Sequence, residues 1–364
     1  MKSILTLLIG CLYFSAMAQE IPMFVGTYTN KGSQGIYFYR FDLRSGEATL
    51  YSNTASEDPS FLARSADGKT LYAVNEKGDS TAGISAYRFN DDALSFLNAL
   101  PAGGSYPCHV AVAKRYPIAV VSNYGGGSLA VFSVEENGAL GERVQLIQQN
   151  GSGPDSTRQE SSHVHSAFFT PDEKFVYVQN LGTDKVTIYR VEKTDNSFSL
   201  VEDDVISTPA GGGPRHVTFD NKTKNLYVLL EMGGMIAHYK KDKKTWTLVD
   251  TVSINEEDFE GENGSAEIKL SPDGNFLYAS NRGDANSIAQ FSVDKEGALH
   301  QQYVYSTGGQ GPRNFNITPD GRYILVANQN SDNIVVFQRD IETGVLTDIE
   351  KNIEIASPAC IVFK

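Results

Sequence analysis

Tryptophan is nearly missing from this chain: Trp246 stands alone among 364 residues, against 18 tyrosines and 19 phenylalanines. Cysteine is almost as scarce. Cys11, Cys108 and Cys360 are too far apart for a disulfide framework and show no CxxC or Cys/His metal spacing. Cys108 and Cys360 therefore read as buried free thiols. Basic residues are outnumbered 31 to 44, a formal net charge of -13, and that sign excludes a phosphate-backbone partner such as nucleic acid. There is no G-x-S-x-G elbow, phosphate loop or dinucleotide fingerprint. Glu76, Glu231 and Glu267 could hold an ion, but the arginines expected beside them oppose it; no metal and no cofactor is expected. Long amphipathic helical patterns are missing too, while glycine is frequent at 33. What remains is a composition for many short strands joined by turns.

The first 18 residues read as an export signal. Lys2 is the positive end, Ile4 to Phe14 are mostly apolar, and Ala16-Met17-Ala18 is a small-x-small cleavage site before Gln19. The apolar run is too short for a membrane span. Leu8-Ile9-Gly10-Cys11 also resembles a lipoprotein box with Cys11 as the lipidated residue, although the apolar stretch continues past it. Either way the mature protein is exported, to the periplasm or onto its membrane. Residues 19–364 then form one domain.

That domain repeats itself. A turn, a short strand, a Pro/Asp-Gly turn, a second strand closing on Tyr-x-x-Asn and a third strand recur, as in PSFLARSADGKTLYAVN and SAEIKLSPDGNFLYASN. The closing positions fall at 75, 123, 180, 230, 281 and 328. A period of about fifty, with a fourth strand in each variable link, predicts four-stranded propeller blades. Residues 358–364 look like a first strand with nothing after it, and residues 23–52 supply strands two to four with no first. The expectation is an all-β, seven-bladed propeller whose last blade is closed by the N- and C-terminal strands, which removes free sheet edges. Signatures of the WD and kelch classes are missing.

In such a ring, residues that begin the first strand of each blade meet those just past the end of the second at one mouth. The first set contains Ser60, Cys108, His165, Arg215, Ala266 and Arg313, with His109, His216, Glu267 and Asn314 next to them. The second contains Glu76, Tyr124, Leu181, Glu231, Arg282 and Gln329. Planar guanidiniums match a carboxylate or phosphate, and a histidine and a glutamate beside them can move protons. Glu231, close to several arginines, should stay ionised. The largest irregular link, Gln148 to His163, enters at the same end, as a rim or partial lid or as a solvated loop.

These residues resemble a known family, the seven-bladed propeller lactonases: the bacterial-type 6-phosphogluconolactonase and the fungal carboxymuconate lactonizing enzyme. The resemblance covers the mature chain. It is carried by MFVGTYT, GSGP…RQESSHVH, GGGPRHV, the Glu231 strand end, AEI…SPDG…LYASNRG and GPRNFNITPDGRYILVANQ. It implies a catalytic set of His165, Arg215, Glu231 and Arg282, all already in the mouth set. Arg313, His109, Glu76, His163, Asn281 and Gln329 are the expected substrate contacts. The implied activity is hydrolysis of a sugar lactone, with 6-phosphogluconolactone or, given the export signal, a non-phosphorylated aldonolactone as substrate. A muconate-type cycloisomerase and a non-enzymatic binding propeller are the alternatives.

Overall fold

The computed structural model describes residues 20–90, 92–194 and 198–364; the expected leader, Cys11 included, lies outside the described residues. Among the described residues twenty-eight strands, β1 to β28 in chain order, make seven four-stranded antiparallel sheets. These are the expected blades. The first strand of each blade faces the axis: β4 (Leu62–Arg64), β8 (Pro107–Val112), β12 (Val164–Phe169), β16 (Pro214–Phe219), β20 (Ser265–Leu270), β24 (Pro312–Ile317) and β28 (Pro358–Phe363). In blades 2 to 7 the second strands are β5 (Thr70–Asn75), β9 (Ile118–Asn123), β13 (Phe175–Asn180), β17 (Asn225–Leu230), β21 (Phe276–Asn281) and β25 (Tyr323–Asn328). Each ends at a closing position of the sequence repeat. Blade 1 is completed across the termini. Its β1 (Glu20–Thr27) pairs antiparallel with β28, Met23 opposite Phe363 and Val25 opposite Ile361.

The second strands are packed on both faces by the neighbouring blades, so runs such as IAVVSN and NLYVLL are buried throughout. Apolar clusters fill the gaps between blades. Tyr177, Ile188, Val217, Leu226, Val228 and Trp246 join blades 4 and 5. The tyrosine of the repeat has a further task. Tyr72, Tyr227 and Tyr278 donate their hydroxyls to the carbonyls of Gly138, Gly297 and Gly344, each in the outer turn of the next blade. These bonds cross-tie the ring. The Pro-Asp-Gly turns place Gly274 and Gly321 at φ +75° and +74°, where a side chain would be strained. Among the described residues no helix is long and apolar enough to cross a membrane.

Candidate active site

Most innermost strands begin with a β-bulge. In β12, Val164 is opposite Asn180 and Ser166 opposite Gln179, which leaves His165 unpaired. Arg215 stands out in the same way between Pro214 and His216, Cys108 between Pro107 and His109, and Arg313 between Pro312 and Asn314. A bulge interrupts strand alternation and re-aims side chains. Two consecutive residues per blade therefore enter the channel, the first at the mouth and the second a layer below.

Arg215 is delivered by the glycine turn ahead of it. Gly211 and Gly213 sit at φ +75° and +67°, and both donate their N–H groups to the Asp184 carboxylate of blade 4, at 2.7 and 2.8 Å. The same carboxylate accepts Gln159 Nε2 at 2.8 Å. Gln159 belongs to the long link after blade 3. One acidic side chain thus fixes both the turn that carries Arg215 and the loop that carries Arg158.

Those arginines meet at Glu231, the residue after β17, which is 8% exposed. Arg158 Nη2 donates to its Oε1 at 2.7 Å. Arg282 Nη2 lies 3.2 Å from Oε2 and Arg215 Nε 3.0 Å from it. The Arg215 N–H is not aligned for a hydrogen bond and has no other partner. His165 Nε2 stands 3.8 Å from the same oxygen, beyond hydrogen-bonding range, and its Nδ1 is buried without a partner. Burial alone would raise the Glu231 carboxyl, but Arg282, Arg215 and Arg158 outweigh it and hold it well below the usual carboxylate range. Burial, then the charge of Arg215, keeps the His165 imidazole well below its ordinary value. Burial also brings Arg282 down to about 10, still a cation at neutral pH. The cluster is therefore an ionised carboxylate, three guanidiniums and a neutral imidazole with no hydrogen bond.

A second charged group shares the mouth. The Arg313 guanidinium lies over the Tyr28 ring, 5.2 Å from its centre, and 3.7 Å from Glu76 Oε2. Glu76 Oε2 also accepts the Tyr28 hydroxyl at 2.6 Å and the Ser60 hydroxyl. Arg313 makes no hydrogen bond among the described residues, so its donor fork is unused. Four guanidiniums face two carboxylates here, and the balance favours an anionic ligand.

The sequence model of the family described as "Lactonase, 7-bladed beta-propeller" matches residues 22–363. The chain belongs to that lactonase family. It is 37% identical to a 6-phosphogluconolactonase of Formosa agariphila, over 91% of this chain and 96% of that one. Identity to a 6-phosphogluconolactonase of Bacillus subtilis is 34%, over 93% and 97%. Among solved structures, the periplasmic gluconolactonase PpgL of Pseudomonas aeruginosa superposes with a TM-score of 0.86 at 32% identity, covering 94% of this chain and 99% of that one.

Within this lactonase-family propeller, His165, Arg215, Glu231 and Arg282 share one cluster, and Arg313 and Glu76 form the neighbouring one. The other expected contacts lie elsewhere. His109 is the second residue of its bulge, so it sits below the mouth. It is 2% exposed, with Phe61 and Phe168 centroids at 4.2 and 4.8 Å. It lines the cavity of about 680 Å³ at the far end of the channel. His163 is committed on both ring nitrogens, to the Tyr124 carbonyl at 3.1 Å and Glu160 Oε1 at 3.2 Å. Asn281 is committed as well: Nδ2 donates to Asn255 and Asn263, and Oδ1 accepts the Gly264 N–H. Asn123, Asn180 and Asn328 make equivalent ties to the preceding inter-blade loop, which accounts for the repeated asparagine as a clamp. Gln329 is half-buried, and its backbone N–H donates to Gly311 at 2.9 Å.

Strand counting missed Arg158, Asp184 and Tyr28. Arg158 lies in the irregular link, where no register exists to count. Asp184 directly precedes the third strand of its blade with a left-handed φ of +52°, a turn conformation that Gly127, Gly234, Asn286 and Asp332 repeat before theirs, so it reads as a turn residue and not as an anchor for two loops. Tyr28 was visible only within MFVGTYT. Tyr124 belonged to the strand-end set but not to the expected contacts; its ring stacks on His163 at 4.5 Å and meets His165 edge-on at 5.6 Å.

Proposed function

We propose that this protein hydrolyses a sugar lactone at the mouth that holds Glu231. The observation that carries the proposal is a neutral, hydrogen-bond-free His165 beside an arginine-locked carboxylate. His165 is the general base: it takes a proton from the attacking water and returns it to the ring oxygen as the acyl–oxygen bond breaks. Glu231, neutralised by three guanidiniums, is a poor base at any working pH and holds those guanidiniums in place. Arg215 and Arg282 stabilise the oxyanion that develops on the carbonyl. Arg313, seated over the Tyr28 ring, supplies the unused donors for the anionic or hydroxyl-rich end of the substrate.

The test pairs 6-phosphogluconolactone with plain gluconolactone, following acid release by pH-stat. His165→Ala and Arg215→Ala should each lower kcat by about 10² or more while circular dichroism stays unchanged. Turnover of both lactones at the parent rate by purified variants would overturn the assignment. The same incubations with a muconate, read by diene absorbance, report cycloisomerisation. The relatives named for the phosphorylated lactone and the neighbour named periplasmic make both sugars fair substrates to compare. Export is part of the same proposal: intact-mass analysis of protein secreted by a Gram-negative host should give a chain starting at Gln19, and a lipidated Cys11 or an uncut Met1 would refute plain cleavage.

A further inference from the structure

Beneath the mouth, a second layer of side chains runs around the channel from blade to blade. His216 Nδ1 lies 3.0 Å from Glu267 Oε1. Asn314 Nδ2 donates to Glu267 Oε2, and Asn314 Oδ1 accepts the Ile361 N–H at 2.9 Å. Four blades are joined in this way, and none of these groups belongs to the proposed reaction. His216 is also joined upward: Arg215 Nη1 lies 3.2 Å from His216 Nε2. Neighbours in an alternating strand would point apart; the bulge at Arg215 brings them together.

The hydrogen-bond roles follow from the donors. A guanidinium has no acceptor, so Arg215 donates and His216 Nε2 accepts. The proton of the neutral ring is then on Nδ1, aimed at Glu267. We propose that His216 and Glu267 are positioning residues for the lactonase reaction: Glu267 selects the His216 tautomer that offers a lone pair to Arg215, and this lone pair, together with the Ala266 carbonyl to which Arg215 Nη1 also donates, orients the guanidinium that faces the reacting carbonyl. Three observations support it. His216 and Glu267 are 2% and 3% exposed, so water does not compete for either contact. Glu267 is itself immobilised by the Ile268 N–H at 3.0 Å as well as by Asn314. Burial and the charge of Arg215 keep the His216 ring well below its ordinary value, as an acceptor to Arg215 requires. The role in turnover rests on the lactonase reading; the tautomer does not.

Two readouts test it. Nitrogen-15 NMR of the histidine side chains, with the His216 signal assigned by its loss in His216→Gln, should show the Nδ1–H tautomer at pH 7. An Nε2–H tautomer or an imidazolium overturns the proposal without reference to any substrate. In kinetics, His216→Asn keeps a donor toward Glu267 but removes the acceptor for Arg215. It should lower kcat about tenfold with KM within about twofold, because a misplaced guanidinium is lost mainly in the transition state. His216→Gln places an amide oxygen near the old Nε2 and should recover turnover to within about threefold of wild type. In an Arg215→Ala background His216→Asn should cost nothing further, the signature of two residues acting as one. Fully additive losses, or wild-type kcat in His216→Asn, overturn it. A wild-type protein inactive on every lactone would instead sink the activity reading, while the tautomer measurement would still judge this arrangement.

Discussion

Replacing Glu231 with glutamine removes one negative charge and almost no volume. Three guanidiniums, at 2.7, 3.0 and 3.2 Å from the carboxylate oxygens, lose their counter-ion, and Arg215 is only 3% exposed. Removing one partner from a buried ion pair costs about 3–5 kcal/mol, because the charge left behind is neither solvated nor paired. Spread over about 2.1 cal/mol/K of unfolding entropy per residue, that penalty lowers Tm by about 4–7 °C for a chain of 364 residues. The electrostatic origin gives a second readout. An added anion that enters the mouth, such as phosphate, should recover part of the lost Tm in Glu231→Gln and change the parent less. Differential scanning calorimetry from low to high phosphate measures both. Activity should fall by about 10² even where the anion restores stability, since the arginines are then held off the geometry the oxyanion needs. A variant whose Tm stays within a degree of the parent and whose kcat is unchanged would refute the account of Glu231 as the group that organises the mouth.

Asp184→Ala should strand the Gly211 and Gly213 donors and free Gln159; with about 1–3 kcal/mol for each stranded buried donor, urea denaturation should show a loss of about 3 kcal/mol, and kcat should drop because Arg215 and Arg158 both move. Acid should destabilise the protein from about pH 6.5 downward: burial depresses the folded-state values of His109, His165 and His216, so the unfolded chain binds protons that the folded one refuses. Each histidine removes about 1.4 kcal/mol per pH unit below its unfolded value. Glu231, also depressed, adds its share below about pH 4.3, and a Tm that is level from pH 7 to 5 would contradict this. Burial pushes the Cys108 and Cys360 thiols far up, so iodoacetamide should label neither at pH 8 until denaturant is added, as peptide mass mapping would show.

The propeller was legible because its repeat is spaced by physical need. Every blade needs an apolar second strand after a tight turn, and these recur at similar offsets even where Glu173 or Thr223 stands in the glycine's place. The ring closure was legible from Pro358–Phe363, a first strand lacking successors. Side-chain direction was less so. Period-two alternation predicts one channel-facing residue per pair, and a bulge at Arg215 or His165 has no composition of its own. That is why strand alternation puts His109 with the mouth although it lies beneath it. Asn281 was misplaced for a related reason: recurrence in every blade looks the same whether a residue clamps a loop or touches a ligand. Arg158 was hidden because its contact is made across 73 residues from a link without periodicity.

The pairing of β1 with β28 also has a consequence for how the molecule is made. Met23 in β1 lies opposite Phe363 in β28, at opposite ends of the described chain, so the circle stays open until those two strands meet. Loop-closure entropy is greatest for a contact of that separation, so the ring should latch late in folding.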